Sequence, residues 1–238
     1  MNRRAFLRFP LLAPMLNLRG GSRLGRLVVF EGNSMSCLNN GVQPPTWTTL
    51  FLRGAWAKAQ HVAGVNVAVA GDDIRHANAR APLYVDPLLG AYGSGVCVLW
   101  EGTNTLIQDG YNADITFAKH YQYCKQRKAL GWRVLMGTIV NRRYVGYGVE
   151  DDGRHEAARL AFNAQVRNTA TQFDGILDVG ADEILGADRA AWDTTYFRDG
   201  VHLTEAGAAR VAAIAEKVIP PLITPLMYFP VVKSQRID

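Results

Sequence analysis

Short apolar runs alternate with helix-like segments along most of the chain, and this order limits the fold more than any other feature. Five runs are typical of buried strands: 27–30, 65–70, 95–100, 133–140 and 175–179. Strands separated by helices indicate βαβ units, which form a parallel sheet covered by helices on both faces. The sequence therefore predicts an α/β fold, a three-layer α/β/α sandwich around a central, mostly parallel five-stranded sheet.

The segments between the strands carry helical spacing or loop signals. Helices are expected over 46–60, from 113 onward, over 156–172, and from Thr204 to just before Pro220. Asn112 is the expected N-cap of the second of these helices. Inward-facing positions are predicted at Ala113, Phe117, Tyr121, Cys124, Leu160, Asn163, Val166, Val211, Ile214 and Val218. Segments 78–94 and 141–153 are predicted as long loops at the rim of one face.

Length and charge bound the organisation of the chain. We assign residues 26–238 to a single domain, since 238 residues suffice for one sizeable core, and residues 1–25 to a basic N-terminal segment. No stretch approaches about eighteen uninterrupted apolar residues, so no transmembrane helix is expected.

Six arginines and no acidic residue lie within residues 1–26, and without them the net charge of +5 becomes −1. The positive charge therefore belongs to the N-terminus, and we exclude nucleic acid as a partner.

The N-terminal segment resembles the twin-arginine export signal. Arg3 and Arg4 precede Phe-Leu-Arg, and the apolar stretch 9–18 follows. This resemblance implies export to the periplasm or out of the cell. The alternative is a basic tail on a cytoplasmic protein, because two prolines interrupt the apolar stretch and no small-x-small cleavage pattern follows it.

The cysteines indicate neither disulfides nor a metal site. Cys37, Cys97 and Cys124 form an odd number and lack metal-ligand spacing. Cys97 lies in an apolar strand and Cys124 on an apolar helix face, so we expect buried free thiols. His155 and Glu156 have no second histidine at zinc-binding spacing, so no metal is predicted.

Residues suited to nucleophilic catalysis follow the predicted strands. Ser34, Gly71 and Asn104 come just after the first three runs, and ligands bind parallel sheets at the carboxyl ends of the strands. Asp199 and His202 lie three positions apart on one loop, where a carboxylate can orient an imidazole. Serine hydrolysis needs a hydroxyl, an imidazole and such a carboxylate, so Ser34, His202 and Asp199 are predicted as nucleophile, general base and orienting acid. Taken singly, each polar residue would serve equally as a turn or cap residue.

Four short blocks resemble the SGNH (GDSL-type) hydrolase family, and they occur in the order of the family. Residues 32–35 (Gly-Asn-Ser-Met) stand at its Gly-Asp-Ser-Leu motif, and Gly71 stands at its oxyanion glycine. Residues 102–104 (Gly-Thr-Asn) match its Gly-x-Asn block, and residues 199–202 (Asp-Gly-Val-His) match its last block. The resemblance covers residues 27–219 and implies a flavodoxin-like fold and ester hydrolysis.

The same resemblance implies an oxyanion hole. Its donors are the backbone N–H groups of Ser34 and Gly71 and the side-chain amide of Asn104. Two residues depart from the family pattern: Asn33 replaces the aspartate of the motif, and Thr105 stands where many members carry aspartate. Both changes affect hydrogen bonds within the loops and leave the mechanism intact.

Several side chains near these blocks are candidates for the acyl or alcohol pocket. They are Trp100, Glu101, Tyr144, Tyr147 and Phe197. Aromatic residues at these places serve equally as core residues.

The sequence thus predicts an esterase that uses water and neither a metal nor an organic cofactor. As the family resemblance implies, the expected substrates are short acyl esters, such as O-acetyl groups on carbohydrate, or small lipid esters, cleaved through an acyl-enzyme. Two alternatives stay open: transfer of the acyl group to a sugar or alcohol by the same triad, and a non-catalytic carbohydrate-binding module on the same fold. No oligomeric state is predicted.

Overall fold

The computed structural model describes residues 26–37, 45–143 and 153–223. The N-terminal segment with its predicted export signal lies outside these ranges, as do Tyr144 and Tyr147. The strands are β1 (Leu27–Gly32), β2 (Ala63–Asn66), β3 (Gly95–Trp100), β4 (Arg133–Gly137) and β5 (Gly175–Leu177). Neighbouring strands are parallel, and the order across the sheet is β2-β1-β3-β4-β5. The predicted five-stranded parallel sheet is confirmed.

Helices cover both faces of this sheet. They are α1 (Trp47–Arg53), α2 (Ala55–Ala59), α3 (Ile74–Tyr84), α4 (Asp86–Tyr92), α5 (Thr103–Gln108), α6 (Ala113–Ala129), α7 (Arg154–Asn168) and α8 (Glu205–Val218). Helices α1 and α8 pack on one face, and α3, α6 and α7 pack on the other, which completes the three layers. Along the described ranges, no helix combines the length and the apolar character needed to cross a membrane.

Strand side chains alternate between the two faces, as the pleat of a strand requires. In β1, Val28 and Phe30 pack with the cluster under α1 and α8, whereas Leu27 and Val29 pack with the cluster under α3 and α6. Because both faces are covered, such strands appear in the sequence as continuous apolar runs. Glu31, near the end of β1, is the one charged residue of this strand, and it is fully buried.

The strand order places β1 between β2 and β3. A crevice is therefore expected between the carboxyl ends of β1 and β3. Ligands usually bind parallel sheets in such a crevice. Ser34 follows β1 directly, and Asn104 lies in the first turn of α5, directly after β3. The fold thus delivers two of the predicted site residues to one edge.

Residues 78–94 are helical, so the prediction of a long loop there is wrong. Helix α3 begins after Asp73, whose carboxylate accepts the N–H groups of Arg75 and His76. Pro87 lies at the start of α4, where a helix needs no N–H donor, and Gly93 is the C-cap of α4. Pro87 and Gly93, which suggested a loop, therefore mark helix ends, whereas Pro82 lies inside α3.

Several predicted boundaries also differ. The helix expected over 46–60 is interrupted at Gly54, whose ψ of 154° is extended. Strand β2 begins at Ala63, before the predicted start, because its register with β1 pairs Leu27 with Ala63 and Phe30 with Asn66. Strands β4 and β5 also end earlier than predicted.

Two predicted helix starts agree with the structure, whereas one predicted inward-facing position does not. Asn112 accepts the Ile115 N–H, so the predicted cap is confirmed. Thr204, the predicted start of the last helix, is the N-cap of α8 and accepts the Gly207 N–H. In α7, Leu160 is half exposed, and its predicted inward position is wrong. The predicted buried free thiols are confirmed for Cys37, Cys97 and Cys124.

Candidate active site

Ser34 lies on a tight turn directly after β1. The Asn33 carbonyl accepts the N–H groups of Ser36 and Cys37, both at 3.0 Å. Asn33 Oδ1 accepts the Met35 N–H at 3.0 Å. Asn33 thus makes a turn hydrogen bond of the kind that an aspartate could make at the same position. The turn leaves Ser34 half-buried at the carboxyl end of the strand.

Asp199 and His202 lie on one short loop before α8. Asp199 Oδ1 accepts the N–H groups of Val201 at 2.9 Å and His202 at 2.7 Å, around Gly200, whose φ of 79° favours glycine. Asp199 Oδ2 lies 2.7 Å from His202 Nδ1, and His202 Nε2 lies 2.9 Å from Ser34 Oγ. The structure brings the three predicted residues into one hydrogen-bonded chain.

The protonation of this chain follows from its partners. A carboxylate only accepts, so His202 Nδ1 carries the hydrogen and the Nε2 lone pair faces the Ser34 hydroxyl. Partial burial acts to raise the pKa of Asp199, but the hydrogen bonds from the His202 N–H, the His202 ring and the Val201 N–H together outweigh it. The pKa of Asp199 is therefore lowered, and its carboxylate is ionised at neutral pH. The arrangement can take a proton from Ser34 and stabilise the imidazolium that forms.

The two further residues of the predicted oxyanion hole lie on the neighbouring loop and helix. Gly71 has a φ of 81°, a conformation that favours glycine, and apart from Gly71 and its two chain neighbours no described residue has an atom within 4 Å of the position that a Cβ would take. Asn104 Nδ2 donates to the Asp72 carbonyl at 2.8 Å. This bond joins the helix that carries Asn104 to the loop that carries Gly71.

Ser34 and Asn104 line one small open depression of about 270 Å³. Its lining residues are Asn33, Ser34, Met35, Thr103, Asn104, Val140, Asn141, Arg142 and Val201. The Arg143 N–H donates to the Gly200 carbonyl at 2.7 Å, so the segment after β4 is joined to the loop of Asp199 and His202. Sequence reasoning placed 141–153 at the rim but missed Val140 and Val201, which have no polar signal.

Glu101 and Thr105 hold the start of the helix that carries Asn104. Thr105 Oγ1 donates to Glu101 Oε2 at 2.6 Å and accepts the Ile74 N–H at 3.0 Å. His120 Nε2 lies 2.8 Å from the same Glu101 oxygen, and both side chains are fully buried. The Glu101 carboxylate faces the interior, although the residue also borders a small cavity together with Met35 and Trp100. Thr105 stands where many members of the family carry aspartate, and its hydroxyl accepts the N–H of Ile74, the first residue of α3.

Two of the aromatic pocket candidates lie in the core. Trp100 is buried and its Nε1 donates to the Thr138 carbonyl at 2.9 Å, although the residue also borders a small cavity with Met35 and Thr103. Phe197 is buried in the cluster under α1 and α8. Among the described residues, no group of three or more His, Cys, Asp or Glu is arranged to hold a metal ion.

Comparison with known families identifies the class of protein that carries this site. The profile of the GDSL-like lipase/acylhydrolase family matches residues 32–210, about three quarters of the sequence. The chain belongs to this family, and the resemblance seen in its four sequence blocks is confirmed. It is an esterase of the SGNH type. No curated protein matches the sequence.

Solved structures are similar in fold across nearly their whole length. The crystal structure of TesA gives a TM-score of 0.62 at 19% identity, covering 82% of this chain and 99% of TesA. The acetyl xylan esterase AlAXEase gives 0.61 at 19% identity, covering 81% and 99%. Axe2, an acetylxylan esterase from Geobacillus stearothermophilus, gives 0.62 at 16% identity, covering 84% and 97%. At such identities the likeness establishes the fold alone.

Proposed function

We propose that the protein hydrolyses short-chain carboxylic esters through an acyl-enzyme on Ser34. The observation that carries this proposal is the pair of contacts made by His202, one with Ser34 Oγ and one with the Asp199 carboxylate. A serine hydroxyl is a weak nucleophile until an adjacent base accepts its proton. His202 is that base, and Asp199 holds the imidazole in the required tautomer.

The reaction proceeds in two balanced halves. Ser34 Oγ attacks the carbonyl carbon while its proton passes to His202 Nε2, and a tetrahedral oxyanion forms. The bond to the alcohol oxygen then breaks, and His202 returns the proton to that oxygen, which releases the alcohol. Water repeats the sequence on the acyl-enzyme, with His202 accepting a water proton, and the acid leaves from Ser34.

The oxyanion of both halves is stabilised by the Ser34 and Gly71 N–H groups and the Asn104 amide. Donors fixed in place before the reaction stabilise developing charge most strongly, and the loss of one typically costs about 100- to 1,000-fold in rate. The depression beside Ser34 is shallow and open to solvent, and such a site favours an acetyl or similarly short acyl group. The fold likeness to two acetyl xylan esterases supports acetylated carbohydrate as the ester.

Hydrolysis of p-nitrophenyl acetate, butyrate and octanoate tests this function. We expect kcat/KM to fall with chain length, and Ser34→Ala to lower kcat by at least about 1,000-fold because the nucleophile is lost. Ser36→Ala is the matched control, since this serine lies on the same turn but its hydroxyl accepts from Trp47 Nε1 at 3.0 Å. Turnover by Ser34→Ala equal to that of Ser36→Ala would contradict the proposal.

Acetylated xylo-oligosaccharide, compared with p-nitrophenyl acetate, tests the substrate class. Release of acetate from the oligosaccharide, abolished by Ser34→Ala, is the expected result. Acetate release from the p-nitrophenyl ester alone would count against a carbohydrate ester. Addition of an alcohol acceptor, with analysis of the products, separates hydrolysis from acyl transfer, since the first half-reaction is common to both.

A further inference from the structure

Three charged side chains meet beneath the loop that carries Gly71, and none of them takes part in the mechanism above. The Arg80 guanidinium, on α3, donates from Nη2 to Glu31 Oε1 at 2.6 Å, and its Nη1 contacts Asp72 Oδ2. The Glu31 side chain is fully buried, and the side chains of Arg80 and Asp72 are 19% and 17% exposed. Polar contacts in such an interior are strong and costly to break.

Each end of this cluster is bonded to an element of the oxyanion hole. Glu31 Oε1 also accepts the Gly32 N–H at 3.0 Å, at the point where β1 passes into the turn of Ser34. At the other end, the Asp72 carbonyl accepts from Asn104 Nδ2 at 2.8 Å. One guanidinium thus joins the strand end before the nucleophile to the loop that anchors the Asn104 amide.

We propose that Arg80 is a positioning residue of the oxyanion hole, which fixes the Asp72 loop against the end of β1 and thereby orients the Asn104 amide. An amide nitrogen has two N–H groups, and Asn104 commits one of them to the Asp72 carbonyl. The direction of the second N–H therefore depends on where that carbonyl lies. This inference rests on the proposed function, because it assigns Arg80 a role in stabilising the oxyanion.

The geometry favours Arg80 over its neighbours for this role. Thr105 holds the start of α3 through the Ile74 N–H, and the Asp72 N–H donates to the Val69 carbonyl at 3.2 Å, but neither bond holds the Asp72 side chain. Two side chains contact the Asp72 carboxylate in the described ranges: Arg80, which is 19% exposed, and His76, whose Nδ1 lies 3.7 Å from Oδ1 and whose side chain is 61% exposed. Arg75, one turn earlier on α3, bonds instead to Asp73 and is 61% exposed.

The test is a double-mutant cycle between Arg80 and Asn104, measured as kcat and KM for p-nitrophenyl acetate. We expect Arg80→Met to lower kcat about 10- to 100-fold and to change KM less than about twofold. The loss in kcat should be smaller than that caused by removing an oxyanion donor outright, because the Asn104 amide is still present but less well oriented. In an Asn104→Ala background the same substitution should lower kcat less than about twofold, because the group that it positions is gone. Arg80→Lys should restore part of the rate. Arg75→Met, on the same helix, is the matched control and should retain the kcat of the parent.

A purely structural role predicts a different result. Equal losses from Arg80→Met in the two backgrounds, a folded Arg80→Met with the kcat of the parent, or an equal loss in Arg75→Met would each overturn the inference. Should the buried Glu31 prevent Arg80→Met from folding, Asp72→Ala breaks the same link without leaving a fully buried charge alone, and the same kcat loss is expected from it.

Ser34→Ala, assayed alongside, separates the two proposals. An active Ser34→Ala overturns the proposed function and the inference with it. An inactive Ser34→Ala with additive losses in the cycle overturns the role of Arg80 alone.

Discussion

The Asp199 carboxylate accepts three hydrogen bonds within four residues of chain. Two come from the backbone N–H groups of Val201 and His202, and the third comes from the His202 ring. The backbone bonds fix the carboxylate before any substrate arrives, and the ring bond then fixes the tautomer of His202. A single side chain therefore sets both the position and the protonation of the base.

Asp199→Asn should lower kcat by about 1,000- to 10,000-fold without unfolding the protein. The asparagine oxygen can keep the two backbone bonds, but its amide would donate to His202 Nδ1 and force the hydrogen onto Nε2, so the base could no longer accept from Ser34. Asp193→Asn is the control, because Asp193 Oδ1 accepts the Thr195 N–H at 2.8 Å in the same kind of turn. Steady-state kinetics of both variants measure this effect. Equal kcat values for Asp199→Asn and Asp193→Asn would show that the tautomer of His202 does not depend on Asp199.

The three residues of the hydrogen-bonded chain, Ser34, His202 and Asp199, could be predicted from sequence because each lies in a short local motif beside a strand or helix end. The cluster beneath them could not. Glu31 is visible as a charge in an apolar run, but its partner Arg80 lies 49 positions away on a segment that reads as a loop. Only the packing of α3 against β1 brings the two together, and no local pattern encodes that.

At the scale of elements, helix ends hold the site in place. Helix α8 begins three residues after His202, and its cap Thr204 accepts the Gly207 N–H at 3.2 Å and donates to the Thr195 carbonyl at 2.5 Å. Caps of this kind are evident in a sequence, whereas the helices over 78–94 were hidden because Pro82, Pro87 and Gly93 are also typical of loops. Pro87 lies at a helix start, where proline is favourable once the helix exists, whereas Pro82 lies inside α3, where proline is normally disfavoured.

Thr204→Ala should lower the free energy of unfolding by about 1 kcal/mol, because the first turn of α8 loses its side-chain acceptor. Thr204→Ser keeps the hydroxyl and should stay within about 0.5 kcal/mol of the parent. Urea denaturation followed by circular dichroism measures both. A serine variant as unstable as the alanine variant would mean that the methyl group, and not the cap, stabilises this end of the helix.

At the scale of the whole molecule, the buried carboxyl of Glu31 links stability to pH. Burial raises the pKa of Glu31 to about 7, against the charge and hydrogen bond of Arg80 and the Gly32 N–H, and the nearby charge of Glu101 acts in the same direction as burial. The ordinary value for this group is 4.5. Between these two values the unfolded chain releases the proton while the folded chain keeps it. The free energy of unfolding therefore falls as the pH rises through this window.

Glu31→Gln should remove this part of the pH dependence. Below pH 4.5 the carboxyl is protonated in both states and contributes no slope, and above about pH 7 the whole penalty is present. We expect the stability of the variant relative to the parent to rise by about 1 to 3 kcal/mol between pH 4.5 and pH 8. Urea unfolding across that range measures it, with Glu183→Gln, 84% exposed, as the control. Parallel curves for Glu31→Gln and the parent would show that Glu31 does not titrate in this window.

The hydrogen bond between His202 and Ser34 spans 168 positions of the chain, whereas the bond between His202 and Asp199 spans three. The acid and base can therefore meet early in refolding, within one loop. The contact of Ser34 with His202 requires that β1 is paired between β2 and β3 and that α8 is packed on the sheet. The recovery of esterase activity during refolding should therefore report the contact between Ser34 and His202, which spans more of the chain than the contact between His202 and Asp199. We expect this recovery to lag behind that of the helical signal.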